Sequence, residues 1–123
     1  MMTTNNNKRR TYRVNADLWT TLHDILVGTP QEFNTDQATL RGRMVTVGLL
    51  SRLGRLPDEW RAVWHEDKDT TTYAIWSYDT PIAWRTYRNG KARWIMPDVK
   101  YSVTTSKHQG KVRTALSQIS GGI

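Results

Sequence analysis

The sequence predicts a single α+β domain: a small antiparallel sheet, a three-stranded meander to which residues 39–50 can add a fourth strand, packed on helices. Three observations predict it. Asn89-Gly90 stands between two alternating aromatic runs, and both residues accept the positive φ that a two-residue type I′ turn requires. Residues 16–27, and the chain from Ser106 onward, repeat apolar side chains at helical spacing. The 123 residues suit one domain, and six Trp, five Tyr and one Phe supply core area beyond what a 37% apolar content suggests.

Residues 1–12 are polar and Asn-rich, so they are expected to form a disordered basic tail, with the domain spanning residues 13–123. Such a tail is either a solvated end or an arm that settles on nucleic acid. Asn15 suits the N-cap of a helix over residues 16–27, with Asp17 in its first turn and Leu18, Leu22, Ile25 and Leu26 on one face. Gly28 followed by Thr29-Pro30 ends it, because glycine takes the left-handed position and proline disfavours helix in the preceding residue. His23 borders the apolar stripe and reads as half-buried or solvated, not as a ligand.

Residues 31–38 read as a polar loop. In residues 39–50, Leu40, Met44 and Val47 fit helical spacing, but Met44-Val45-Thr46-Val47 has strand composition and two glycines weaken any helix, which favours a strand. Leu56-Pro57-Asp58-Glu59-Trp60 starts a second helix, with proline tolerated in the first turn, two acids favoured by the dipole, and Trp60 and Trp64 on one face. It ends in His65-Glu66-Asp67-Lys68-Asp69. His65 lacks a second histidine at helical spacing, so no metal site is expected there.

Residues 73–78 form the first strand of the meander, and Asp79-Thr80-Pro81 turns the chain so that Pro81 begins the second. The Asn89-Gly90 turn then pairs Arg88 with Lys91, Tyr87 with Ala92, Thr86 with Arg93, Arg85 with Trp94, Trp84 with Ile95 and Ala83 with Met96. Alternation puts Ile82, Trp84, Thr86, Arg88, Lys91, Arg93 and Ile95 on one face. Ala83, Arg85, Tyr87, Ala92, Trp94 and Met96 take the other. The pairing of Arg85 with Trp94 reads either as a covered tryptophan with a stacked arginine or, with Tyr87, as an aromatic platform for a nucleic-acid strand.

The last helix carries Val112, Ala115, Leu116 and Ile119 on one face, with His108 extending it. Thr104, Thr105 and Ser106 are each able to cap it, Ser106 in a capping box with Gln109, and the sequence does not choose between them. Lys107 opposes the helix dipole, so the hydroxyls with Lys107 and Lys111 are either plain caps beside solvated lysines or a seat for a phosphate or carboxylate. His108 reads as a hydrogen-bonded residue at the core's edge and not as a general base, because no partner lies nearby in sequence.

No cysteine is present, which excludes disulfides and thiolate zinc sites. No run approaches the roughly 20 apolar residues of a membrane span, and the N-terminus lacks a signal-peptide core, so a soluble, cytoplasmic protein with no membrane partner is expected. Charge is unevenly placed. Residues 1–13 carry four bases and no acid, residues 14–79 six bases against ten acids, and residues 80–123 eight bases against Asp98 alone. A basic C-terminal half points to a polyanion or an acidic protein surface.

Ser77-Tyr78-Asp79-Thr80-Pro81-Ile82-Ala83-Trp84 and Tyr101-Ser102-Val103-Thr104-Thr105-Ser106-Lys107-His108-Gln109 together resemble an uncharacterised domain of small proteins from actinobacterial phages and other mobile elements. The likeness covers about residues 73–116. It implies a phage origin and carries over no catalytic residue. Residues 16–27 and 40–56 fall outside it.

The expectation is therefore a non-enzymatic accessory protein, without cofactor or metal, that binds nucleic acid. Arg85, Arg88, Lys91, Arg93, Lys107, Lys111 and Arg113 would hold phosphate, with Tyr87 and Trp94 as aromatic contacts. The alternative is a host-directed protein-interaction module that meets an acidic host protein.

Overall fold

The computed structural model describes residues 11–14, 22–35 and 37–119. Chain order is β1 (Thr11–Val14), α1 (Leu22–Leu26), β2 (Glu32–Thr35), β3 (Leu40–Met44), a 3-10 turn (Val47–Leu49), α2 (Asp58–Asp67), β4 (Thr71–Ser77), β5 (Thr80–Arg88), β6 (Lys91–Ile95) and α3 (Val103–Ser117). The strands form one sheet in sequence order; β2 to β6 are antiparallel, and β1 adds a parallel edge to β2. The fold class is the expected α+β, but the sheet is larger than a three- or four-stranded meander.

The extra strands come from places where composition is a poor guide. Residues 31–38 are not simply a loop: β2 buries Phe33 between neighbours on both sides, and backbone pairing offsets what Glu32 and Asn34 lack in strand propensity. The ambiguous segment is a strand only over Leu40–Met44, after which the chain leaves the sheet through the 3-10 turn. Thr11 and Tyr12, assigned above to the tail, lie in β1, whereas Met1–Arg10 and the cap and first turns of the helix expected over 16–27 lie outside the described residues. The described part of that helix ends as expected, with Gly28 at φ +69°.

The sheet is covered on both faces. In β4, Tyr73 and Ile75 point to α1 and α3, joining Leu22, Leu26, Val112 and Leu116 in one core. Ala74 and Trp76 point the other way, to a second core of Leu53, Leu56, Trp64 and Trp84 under α2. Trp64 stands edge-on to both Trp76 and Trp84, with ring centroids 6.1 and 5.0 Å away, and donates its Nε1–H to the Leu50 carbonyl at 2.9 Å. Edge-to-face packing of this kind contributes about 0.5–1.5 kcal/mol per pair beyond area burial.

The Asn89-Gly90 hairpin has the expected register from Arg88 opposite Lys91 to Trp84 opposite Ile95, with both turn residues at positive φ. Ile82 departs from the expected facing. Ile75 pairs with Ala83 but Trp76 pairs with Pro81, so Ile82 is the extra residue of a bulge and joins the α1/α3 core instead of the Trp84 face. The bulge sits two residues after the tight Tyr78-Asp79 turn, in which Tyr78 is held at φ +55°.

Candidate functional site

The basic residues expected to act together are divided by the fold. Arg85 lies on the α1/α3 face, its guanidinium 5.3 Å from the centroid of the Tyr87 ring and donating to the Tyr87 hydroxyl at 3.2 Å. Trp94, directly across from Arg85, is only 6% exposed and packs edge-on to Tyr73, so its ring belongs to the core and is not a stacking platform. Arg88, Lys91 and Arg93 follow the alternation of Trp84 and Ile95 to the α2 face. There Arg88 is anchored: it donates to the buried carboxylate of Asp67 at 2.8 Å. Lys107, Lys111 and Arg113 are exposed on α3. The cross-strand pairing sets Arg85 against Trp94, but the aromatic ring that its guanidinium contacts is Tyr87.

The two quoted motifs do converge. Ser77, at the end of β4, donates its hydroxyl to Thr105 Oγ1 at 3.0 Å and lies 2.8 Å from His108 Nδ1. With the Ser77 proton directed at Thr105, the tautomer that completes the chain is the one in which His108 Nδ1–H donates to Ser77 Oγ. Burial lowers the His108 pKa, which keeps the imidazole neutral. A serine bonded to a neutral histidine is a nucleophile–base arrangement in outline, but Ser77 is 1% exposed and its proton is already committed. Among the described residues no carboxylate hydrogen-bonds His108. The network joins β4 to α3.

α3 is capped by Ser102, whose Oγ accepts from the Thr105 backbone N–H at 3.3 Å, and not by any of the three hydroxyls considered above. Thr105 is inside, bound to Ser77, and Gln109 donates to the Val99 carbonyl at 2.9 Å instead of closing a capping box. These bonds fix the 97–102 connection against the start of α3.

Between that connection, the Tyr78-Asp79 turn and residues 54–57 lies a groove of about 800 Å³. Arg55 and Lys100 line it, with Tyr101 and the hydroxyl-bearing Ser102 and Thr104; its lining holds one acid, Asp79. The Tyr101 hydroxyl is buried without a partner, and burial raises its pKa. Tyr78 is 48% exposed at the lip, and its backbone is clamped, N–H to the Thr39 carbonyl and carbonyl to Arg41 Nη2, both at 2.7 Å. Arg41 and Arg52 flank Asp79 outside the groove.

Sequence reasoning missed Arg41, Arg52, Arg55 and Lys100 as a group. The signal was present but averaged away: residues 40–57 contain Arg41, Arg43, Arg52 and Arg55 with no acid, inside a longer segment whose acids make it negative overall. Period-two spacing in β3 then puts Arg41 and Arg43 on one face. Among the described residues no group of three His, Cys, Asp or Glu side chains is placed to hold a metal. None of the described helices is long and apolar enough to cross a membrane.

No curated protein and no solved structure matches the chain. Residues 31–121 match a family of unknown function, a span from the start of β2 to beyond α3 that takes in residues 40–56, which the motif resemblance had left outside. The chain belongs to this family of unknown function, DUF8033.

Proposed function

We propose that the protein is a non-enzymatic accessory protein that binds a nucleic-acid strand along the groove at the start of α3. One observation carries this reading: Arg55 and Lys100 line the groove beside the half-exposed Tyr78, and Arg41 and Arg52, from the same acid-free segment as Arg55, flank its Asp79 from outside. Guanidinium and ammonium groups neutralise phosphates, and an exposed ring beside them offers a face on which a base stacks. Lys107, exposed in the second turn of α3, adds a positive charge that a phosphate neutralises. Lys91, Arg93 and Arg113 would extend the contact or form a second one. The likeness of the two motifs to small proteins of actinobacterial phages supports a role in a mobile element, acting in the cytoplasm of a host cell.

The test is an anisotropy titration with short single- and double-stranded DNA and RNA over a series of salt concentrations. Affinity should fall steeply with salt, and Arg55→Ala and Lys100→Ala should each weaken binding and reduce the salt slope by about 1. Absence of binding at low salt overturns the reading. Binding that ignores both substitutions but is lost in Lys91→Ala/Arg93→Ala moves the site to the hairpin.

An acidic host protein is the second reading, favoured by Val103, which is 74% exposed in the first turn of α3. An apolar side chain there contributes nothing to phosphate contact and suits a protein interface. A discrete partner retained from host lysate after nuclease treatment, and lost on Val103→Asp, would favour it.

A further inference from the structure

Asp79 stands between two arginines without bonding directly to either. Its Oδ1 lies 3.9 Å from Arg41 Nη2 and 3.6 Å from Arg52 Nη1, whereas charge-assisted N–H···O bonds run at about 2.7–2.9 Å. The carboxylate is 75% exposed. Its loose fit is not slack in the turn: Tyr78 is held through both backbone groups, and the Asp79 carbonyl packs so closely under Gly54 that a Cβ at Gly54 would strike it. The backbone is fixed, and the side chain is what can move.

The arginines, for their part, are incompletely satisfied. Arg41 spends Nη2 on the Tyr78 carbonyl, and its Nε is buried with no acceptor. Burial, together with the nearby charges of Arg43 and Arg52, lowers its pKa, so the cluster lacks negative charge that Asp79 only partly supplies. Arg52 has a side chain 48% exposed. A guanidinium fork matches two oxygens of a phosphate, which approach closer than a carboxylate tethered to a short turn.

We infer that Arg41 and Arg52 form a clamp for one backbone phosphate of the bound strand, and that Asp79 is a resident counter-ion which swings out when the phosphate arrives. This rests on the nucleic-acid reading. It adds that the free protein lowers its own affinity through Asp79, which repels the incoming phosphate and competes with it for the same donors.

The experiment uses the full chain and a labelled single-stranded oligonucleotide at low salt. Asp79→Asn keeps shape and turn preference but removes the charge, and it should bind about three- to tenfold more tightly than wild type. Asp69→Asn, the same change in net charge at the opposite end of β4, should bind as wild type does. Arg52→Ala should weaken binding and reduce the salt slope by about 1, in both the wild-type and the Asp79→Asn backgrounds. Weaker or unchanged binding in Asp79→Asn, or an equal gain in Asp69→Asn, overturns the inference while leaving the nucleic-acid reading intact. Absence of binding by wild type and all variants overturns both. Should Asp79→Asn not fold, an Arg52→Ala variant that binds as wild type does still overturns the clamp.

Discussion

Ser77 Oγ and His108 Nδ1, 31 residues apart in sequence, meet at 2.8 Å inside the protein, with Thr105 Oγ1 completing the chain of hydrogen bonds. Each group satisfies another in a buried position. Ser77→Ala therefore leaves the His108 N–H and the Thr105 hydroxyl short of a partner, and the cost should be about 1–3 kcal/mol in chemical denaturation. A change below about 0.5 kcal/mol would mean that the network does not hold β4 to α3.

The same contact gives stability a pH dependence. Burial lowers the folded-state pKa of His108 from an ordinary value of 6.5, so below about 6.5 the unfolded chain takes up a proton that the folded chain resists. The unfolded state binds more protons, and stability falls as pH falls. Full stability is present above pH 6.5, the loss starts as pH drops through that value, and it levels off only below the lowered folded pKa. Melting temperatures from pH 8 to pH 5 should show this decline, and His108→Gln should flatten it. An unchanged slope in His108→Gln would place the responsible group elsewhere.

Local signals accounted for part of this arrangement and could not have accounted for the rest. Asn89-Gly90 determined the register from Arg88–Lys91 to Trp84–Ile95 because a two-residue turn leaves no freedom. The reach of that register ended at Ile82, where a bulge set by the opposite strand reverses the facing. β2 was illegible because its one large apolar residue, Phe33, signals burial only once β3 lies beside it. His108 was legible as buried and bonded, but its partner lies on another strand. The arginines near Asp79 were legible as charges and not as a cluster, since β3 and the 50–55 loop meet only in the folded chain.

Arg88 offers a test of whether a basic residue at the hairpin serves binding or folding. Its partner Asp67 is 5% exposed at the end of α2, and the Asp67 carbonyl also accepts from the hydroxyls of Thr70 and Thr71 at 3.1 and 2.8 Å. Arg88→Ala strands a buried carboxylate. Because the guanidinium itself is 40% exposed, the expected loss is about 1–3 kcal/mol and not the larger value of a fully buried pair. Arg88→Ala/Asp67→Asn should lose less than the sum of the single changes. Undiminished stability in Arg88→Ala, with weaker nucleic-acid binding, would instead assign this arginine to the binding surface.

Gly42 in β3 shows how tightly the sheet's first half is packed. A Cβ added there would overlap the Tyr73 hydroxyl and the Phe33 ring, both of them fully buried. The Tyr73 hydroxyl donates to the Gln31 carbonyl at 2.7 Å, so displacing it breaks a bond that ties the connection before β2 to the centre of the sheet. Overpacking costs about 1–3 kcal/mol and the lost hydrogen bond about 1 more, and Gly42→Ala should lower the urea midpoint accordingly. Gly48→Ala is the matched control, because a Cβ there meets nothing within 4 Å and its φ is not in the left-handed region. It should leave the midpoint almost unchanged. Equal midpoints for the two variants would mean that β2, β3 and β4 do not pack through Phe33 and Tyr73, and with them would go the support beneath Arg41.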